Sequence, residues 1–299
     1  MDYLAVGRVI VNRLGYTDGT VRDNVLGGSV VYAYGALRML TDSCAFASDI
    51  GEDFDRFYGE WFRENDIPGD CLDVVDPHTM YTTLQYNEDG SYNEHSIYGG
   101  TTSVHSEHYD HWQEHAAKYT PLVKKGIYCF VDTGFAAEGR RKYGYKVMYE
   151  ASPKIFIGFR PDFERNLGNS DIFSINRNEA KRFFGLETEE ECVRKLMEYE
   201  LPCFFRLGSK GSVMITDGRS VFVPSVYIGA PGPDPTGCGN ASTAAALWAW
   251  CEGYDPKMTA CIANVVAAYT AAQYGPVPKF TEELRKDVFR RAEALYKEA

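Results

Sequence analysis

The residues Asp234-Pro-Thr-Gly-Cys-Gly-Asn240 run directly into the alanine-rich stretch ASTAAALWAW. Small residues ahead of a helix let successive backbone N–H groups converge on one point. The helix dipole adds roughly half a positive charge at that end. Gly237, Cys238, Gly239 and Asn240 therefore form a cradle suited to an anion such as a phosphoryl group. The last of them is an amide, which cannot take up a proton at any relevant pH. A tight loop capped by Asn240 would account for the same residues, so the stretch must be read in context.

Other residues also carry chemical potential. Asp132, in FVDTG at the end of a predicted strand, is the first candidate for a base in place of Asn240. A single DTG without an all-β pattern does not make an aspartic protease. All six histidines fall between positions 78 and 115, four of them in HSEHYDHWQEH. A helix over 106–119, capped by Ser106, would put His108, His111 and His115 on one face. Imidazoles so spaced can chelate a transition metal, and a solvated helix face explains them equally well. His95 lies on a predicted hairpin, where it is placed to touch a substrate.

These residues need a scaffold. YLAVGRVIV (3–11) reads as one buried strand, and Gly27-Gly28-Ser29 opens a helix with Val30, Val31, Tyr34, Leu37 and Leu40 at helical spacing. CAFASDIG and DFDRFYGEWFREND continue as strand and amphipathic helix, the rhythm of a parallel sheet flanked by helices. MYTTLQYNEDGSYNEHSIYGG alternates, turns at Glu88-Asp89-Gly90 and alternates again, as a hairpin does. Then follow strand GIYCFV, helical residues around 137–150, strands KIFIGF and DIFSIN, helices over 178–199, strand CFFRLG and strands near 212–224. Helices over 240–251, 257–273 and 282–297 close the chain.

The 299 residues are 44% hydrophobic, enough for one large buried core. A net charge of −11 argues against nucleic acid and anionic membrane as partners, and no stretch has the length of a membrane span. The eight cysteines include no CxxC pair and sit mostly in apolar runs. They read as reduced core thiols of a cytoplasmic protein.

In order along the chain, LGGSVVYAYGAL, Asn176-Arg-Asn-Glu179, RLGSKG (206–211) and DPTGCGN resemble the signatures of the PfkB/ribokinase family of small-molecule kinases. The resemblance extends over nearly the whole chain. It implies an α/β fold, a ribokinase-like three-layer αβα sandwich with a central, mostly parallel sheet. One domain would span 1–299, with a small β lid from about 12–25 and 80–103 that can pair two subunits. It implies transfer of the ATP γ-phosphate to an alcohol of a sugar-like substrate. Residues 237–240 would form the catalytic loop. Asn176, Glu179, Arg206, Gly208, Gly211 and Asn264 would meet the nucleotide, and Asn12, Gly27, Gly28 and Ser29 the acceptor, with His95 and Asp132. Glu179 would serve Mg2+, and Asp234 and Thr236 a monovalent ion such as K+.

The departures fall mostly on the acceptor side. The family signature ends in an aspartate where this chain has Asn240, and the sugar-binding aspartate after the first strand becomes Asn12. Ser29 replaces an asparagine, and TLG becomes Arg206-Leu-Gly, which brings a guanidinium toward the nucleotide. A DxNxR-like segment survives loosely as GFRPDFERN, with Arg160 and Arg165 as candidate anion contacts. Base removal costs about 10²–10⁴-fold, yet phosphoryl transfer rests mostly on positioning and electrostatics. Two functions stay open on these residues: a kinase with a modified acceptor pocket, or a catalytically silent nucleotide- or sugar-binding protein on the same fold.

Overall fold

YLAVGRVIV makes two strands where its composition predicts one. β1 (Tyr3–Val6) enters the main sheet, the chain bends after Gly7, and β2 (Ile10–Gly15) begins a second sheet. The bend is tight: a Cβ on Gly7 would lie 2.5 Å from Ser29 Oγ, and the Val9 amide is held by Ser48 Oγ at 2.9 Å. The computed structural model describes residues 1–88, 92–99, 106–109, 111–152, 160–229 and 234–299.

β3 (Val21–Gly27) runs back along β2 and leads into α1 (Ser29–Leu40), which buries Val30, Val31, Tyr34, Leu37 and Leu40 as their spacing requires. β4 (Cys44–Gly51), α2 (Phe54–Glu64) and β5 (Leu72–Asp76) follow. β6 (Tyr81–Tyr86) and β7 (Tyr92–Tyr98) pair antiparallel, the expected hairpin, with tip residues 89–91 outside the described residues. The stretch expected as one helix over 106–119 is instead a 3-10 turn at Ser106–Tyr109 and a short α3 (Trp112–Ala117).

β8 (Gly126–Phe130) and α4 (Ala137–Tyr143) come next. The helix expected through 150 stops at Gly144, φ +79, and residues Lys146–Glu150 form β9. Val147, Met148 and Tyr149 are fully buried there, between β8 and β10. The expected strand 154–159 lies outside the described residues. The chain continues through α5 (Arg160–Gly168), β10 (Ile172–Asn176), α6 (Arg177–Phe184), α7 (Glu189–Met197) and β11 (Cys203–Arg206). β12 (Gly211–Thr216), β13 (Arg219–Pro224), α8 (Cys238–Cys251), α9 (Pro256–Ala271) and α10 (Glu282–Glu298) complete it.

Among the described residues the main sheet has nine strands in the order β13-β12-β11-β10-β9-β8-β1-β4-β5. It is parallel from β11 to β5, and β12 and β13 are antiparallel additions. Side chains alternate between two cores. Tyr3, Ala5 and Phe46 pack toward α1, α8 and α9, while Leu4, Val6 and Ala47 pack toward Trp112 and Ala116 of α3. Phe173, Ile175 and Phe205 meet Phe163, Cys192 and Leu196 in a third cluster. The small sheet has the order β3-β2-β6-β7. All eight cysteines are free, and among the described residues no helix is long and apolar enough to cross a membrane.

Candidate active site

Open α/β sheets bind ligands outside the carboxyl ends of their strands. Three neighbouring ends here carry polar side chains: Glu150 closes β9, Asn176 closes β10 and Arg206 closes β11. The N-terminus of α8 meets them. Gly237 is its N-cap at φ +78, a left-handed conformation that suits glycine, and a Cβ there would lie 2.1 Å from the Tyr32 ring. Cys238 takes the first helical position and donates to the Ala267 carbonyl at 3.5 Å. Burial, with Asp234 nearby, pushes its thiol up to about 12, so it is no nucleophile at neutral pH.

Asn240 turns its amide inward. Its Nδ2 donates to Tyr128 Oη at 3.1 Å and to Glu150 Oε1 at 3.2 Å. Tyr128 in turn donates to Glu150 Oε2 at 2.5 Å. Burial first, then the Glu150 charge, raises the Tyr128 pKa, which keeps the phenol a donor. Arg206 Nη1 pairs with Glu150 Oε1 at 3.0 Å, and its Nη2 is 4.0 Å from Glu179 Oε2. The guanidinium lies against the first turn of α8, since a Cβ on Gly239 would come 2.2 Å from Nη1. Its Nε is buried with no hydrogen-bond partner among the described residues.

Asn176 and Glu179 form a capping box that starts α6. Asn176 Oδ1 accepts from the Glu179 amide at 2.9 Å, and Glu179 Oε2 accepts from the Asn176 amide at 3.4 Å. Ser152 donates to the other Glu179 oxygen at 3.1 Å. Burial, opposed by Arg206, holds this carboxyl above its ordinary pKa.

The small sheet reaches the cradle through tyrosines. Asp234 Oδ1 accepts from the amide and the hydroxyl of Thr236, and the Tyr86 hydroxyl meets the same Thr236 oxygen. Tyr16, at the end of β2, stacks on Tyr86 with centroids 5.5 Å apart, and Tyr92 of β7 meets Tyr86 edge-on at 5.7 Å. Asp234 is 1% exposed, its Oδ2 has no hydrogen-bond partner among the described residues, and burial raises its pKa.

The remaining expected residues are spread around this centre. Gly27 and Gly28 join β3 to α1. Tyr58 Oη bonds both the amide and the carbonyl of Gly27 at 2.9 Å, and a Cβ on Gly28 would meet the Arg8 carbonyl at 2.1 Å. Ser29 packs on Gly7, and Asn12 is buried on β2 with its amide against Gly27. Gly208 (φ +65) and Gly211 (φ +122) shape the turn between β11 and β12. Asn264 is a tether: its amide oxygen accepts from Ser212, and its nitrogen donates to the Val223 and Pro224 carbonyls.

Two expectations change. His95 pairs with Thr83 of β6, on the face opposite the one that buries Thr82, Leu84, Tyr86 and Ser96, and it is exposed. The three histidines do not share a face: His108 pairs with Asp76, His111 lies 3.6 Å from Glu114, and His115 pairs with Asp49 at 2.8 Å. Asp132 accepts from the Gly134 amide at 3.2 Å, directly after Val131, a β-branched residue at φ +61. Arg165 makes a surface pair with Asp162, and the Arg160 side chain lies outside the described residues. Glu150 and Tyr128, which complete the centre, carried no sequence signal: Tyr128 lies in the middle of the expected strand GIYCFV, and Glu150 ends a strand hidden in an expected helix.

The residues fit the expected groups. The Gly239 and Asn240 amides and the orphaned Arg206 Nε would serve as donors for phosphate oxygens, whereas the Cys238 amide already donates to the Pro235 carbonyl at 3.2 Å. Glu150 and Glu179 already flank one cation, Arg206, and could share a divalent one. The unpartnered Asp234 Oδ2 beside Thr236 suits a monovalent cation.

A mostly parallel sheet between helix layers, a smaller covering sheet and a glycine cradle on the central helix define a ribokinase-like fold. The pfkB family carbohydrate kinase pattern matches residues 25–282, and the chain belongs to that family. No curated protein sequence matches it significantly. Among solved structures it is similar to the Burkholderia thailandensis nucleoside kinase in complex with inosine, at 16% identity and a TM-score of 0.75, covering 99% of this chain and 97% of that one. It is also similar to adenosine kinase from Sinorhizobium meliloti, at 17% identity and a TM-score of 0.77, covering 97% and 98%. Fructokinase from Vibrio cholerae O395, bound to fructose, ADP and calcium, matches at 16% identity and a TM-score of 0.73, covering 97% and 99%. At these identities the likeness speaks for the fold.

Proposed function

We propose that the protein is an ATP-dependent kinase of a sugar-like small molecule in which Glu150 does the work of the missing carboxylate at position 240. The observation that carries this reading is the 3.2 Å contact between Asn240 Nδ2 and Glu150 Oε1, which keeps a buried carboxylate against the first turn of α8. The α8 amides and Arg206 bind the terminal phosphoryl oxygens, and Arg206 exchanges its contact with Glu150 for them. Glu150, released from that pair, accepts the proton of the acceptor hydroxyl. The hydroxyl oxygen bonds to phosphorus as the bond to the bridging oxygen breaks, and ADP leaves. Mg2+, held through Glu179, would neutralise charge on the phosphate oxygens when bound. Membership in a carbohydrate kinase family and the ligands bound in the similar structures, inosine and fructose, support a sugar-bearing acceptor.

The test is ADP release across a panel of sugars and nucleosides with ATP and Mg2+. One acceptor should give turnover, and Glu150→Gln should lower kcat by about 10²–10⁴-fold with little change in ADP affinity. Turnover that survives Glu150→Gln would remove Glu150 from the reaction.

One observation favours a silent binder on the same fold: Glu150 is satisfied by Asn240, Tyr128 and Arg206 without any ligand. That reading expects ADP to raise Tm while no acceptor is phosphorylated by the wild type or by Asn240→Asp.

A further inference from the structure

Asp49 and Asp73 stand opposite each other in register on β4 and β5, at the edge of the main sheet. His115 of α3 lies over them, and one ligand atom from each of the three falls within 4.8 Å of the others. Strand β4 is three places from β9 in the sheet, roughly 14 Å at ordinary strand spacing, so this cluster is separate from the cradle.

Asp49 is the unusual member. It is 3% exposed, and its Oδ1 meets His115 Nδ1 at 2.8 Å. Its Oδ2 is buried and has no hydrogen-bond partner among the described residues. A buried carboxylate oxygen left without a donor is costly, and one imidazole satisfies only half of the group. Asp73 is engaged from outside: Tyr119 Oη donates to Oδ2 at 3.1 Å, and the half-exposed Lys118 ammonium pairs with Oδ1. A cation already sits on this cluster, on a side chain free to swing away.

We propose that Asp49, Asp73 and His115 bind a divalent transition-metal ion of the zinc and manganese kind. Two carboxylates and one imidazole form a mixed oxygen and nitrogen set, which suits such an ion better than Mg2+ or Ca2+. Three protein ligands leave a further position for water. The ion replaces Lys118 on Asp73, supplies the missing partner of Asp49 Oδ2, and pins α3 to the β4–β5 edge.

The experiment is calorimetric titration of the metal-stripped full-length protein with Zn2+, with Mg2+ in excess to fill sites for hard cations. One Zn2+ should bind, at least about tenfold more weakly in Asp49→Asn and in His115→Gln. Lys118→Met should tighten binding by roughly twofold to fivefold, the size of a surface ion pair lost from the competing state. X-ray absorption should show an oxygen and nitrogen shell at about 2.0–2.2 Å without sulfur. No binding, equal affinity in both ligand variants, or a sulfur shell from the cysteines would overturn the site. If Asp49→Asn does not fold, His115→Gln decides, because that side chain is partly exposed at the surface.

Discussion

Asn240 Nδ2 lies 3.2 Å from Glu150 Oε1, so the tip of α8 and the end of β9 are direct partners. An aspartate at 240 would set two carboxylates against each other, and like charges at that distance cannot both ionise cheaply. Asn240→Asp should therefore lose stability, by about 1–3 kcal/mol above neutral pH, equivalent to one or two units of pKa displacement. The loss should shrink on acidification, as one proton comes to bridge the two carboxylates. Thermal melts of the two proteins across pH check this. A variant as stable as the wild type at about pH 8 would mean that the two side chains part when charged.

Glu150 and Arg206 form a pair that is almost entirely buried, with side-chain exposures of 3% and 11%. Removing one partner of such a pair leaves a lone charge inside and costs about 3–5 kcal/mol. Arg206→Met should show that loss in denaturant unfolding, together with weaker ADP binding. Glu150→Gln combined with Arg206→Met should recover most of the stability while ADP binding stays weak. Strictly additive losses would mean that the two residues are not coupled in the folded protein.

Much of this architecture could be read from the chain. The glycine pair before α1, the cradle before α8 and the Asn176–Glu179 spacing all sit at helix starts, as their residue types demand. The Arg206 substitution marked where a guanidinium enters. Glu150 was hidden because Lys146–Glu150 is a five-residue run that follows a helix and carries residues common in helices. Its contacts also depend on β8 and β9 being neighbours and on β11 lying two places from β9, which no local pattern states. The histidines misled for a related reason: Asp49 and Asp76, distant in sequence, each claim one of them.

Gly237 and Gly239 should respond differently to alanine. At Gly237 the backbone is left-handed and the new Cβ would overlap the Tyr32 ring, a rigid neighbour. Strain of that kind costs about 1–3 kcal/mol before the overlap is counted. At Gly239 the overlap is with Arg206 Nη1, the far end of a flexible side chain. Gly239→Ala should keep most of its Tm and lose ADP affinity as Arg206 is pushed from the cradle. Gly237→Ala should lose several degrees. Paired melts and ADP calorimetry distinguish them, and equal loss of Tm would sink the argument.

Asp42 joins α1 to α10. Its carboxylate accepts from Arg285 Nη1 at 3.0 Å and Nη2 at 2.8 Å, and it pairs with Arg38 one helical turn earlier. The Arg285 hydrogen bonds, aided by both positive charges, hold its pKa at about 2, below the ordinary 3.8. A folded pKa below the unfolded one means that ionised Asp42 favours the folded state at any pH above the ordinary value. That contribution fades as the pH falls from about 4 toward 2. The side chain is 71% exposed, so solvent screening limits the effect to about 0.2–1 kcal/mol. Asp42→Asn should lower Tm slightly at neutral pH, with a gap that narrows on acidification and at high salt. A gap that widens in acid would show that Asp42 acts through packing and not through its charge.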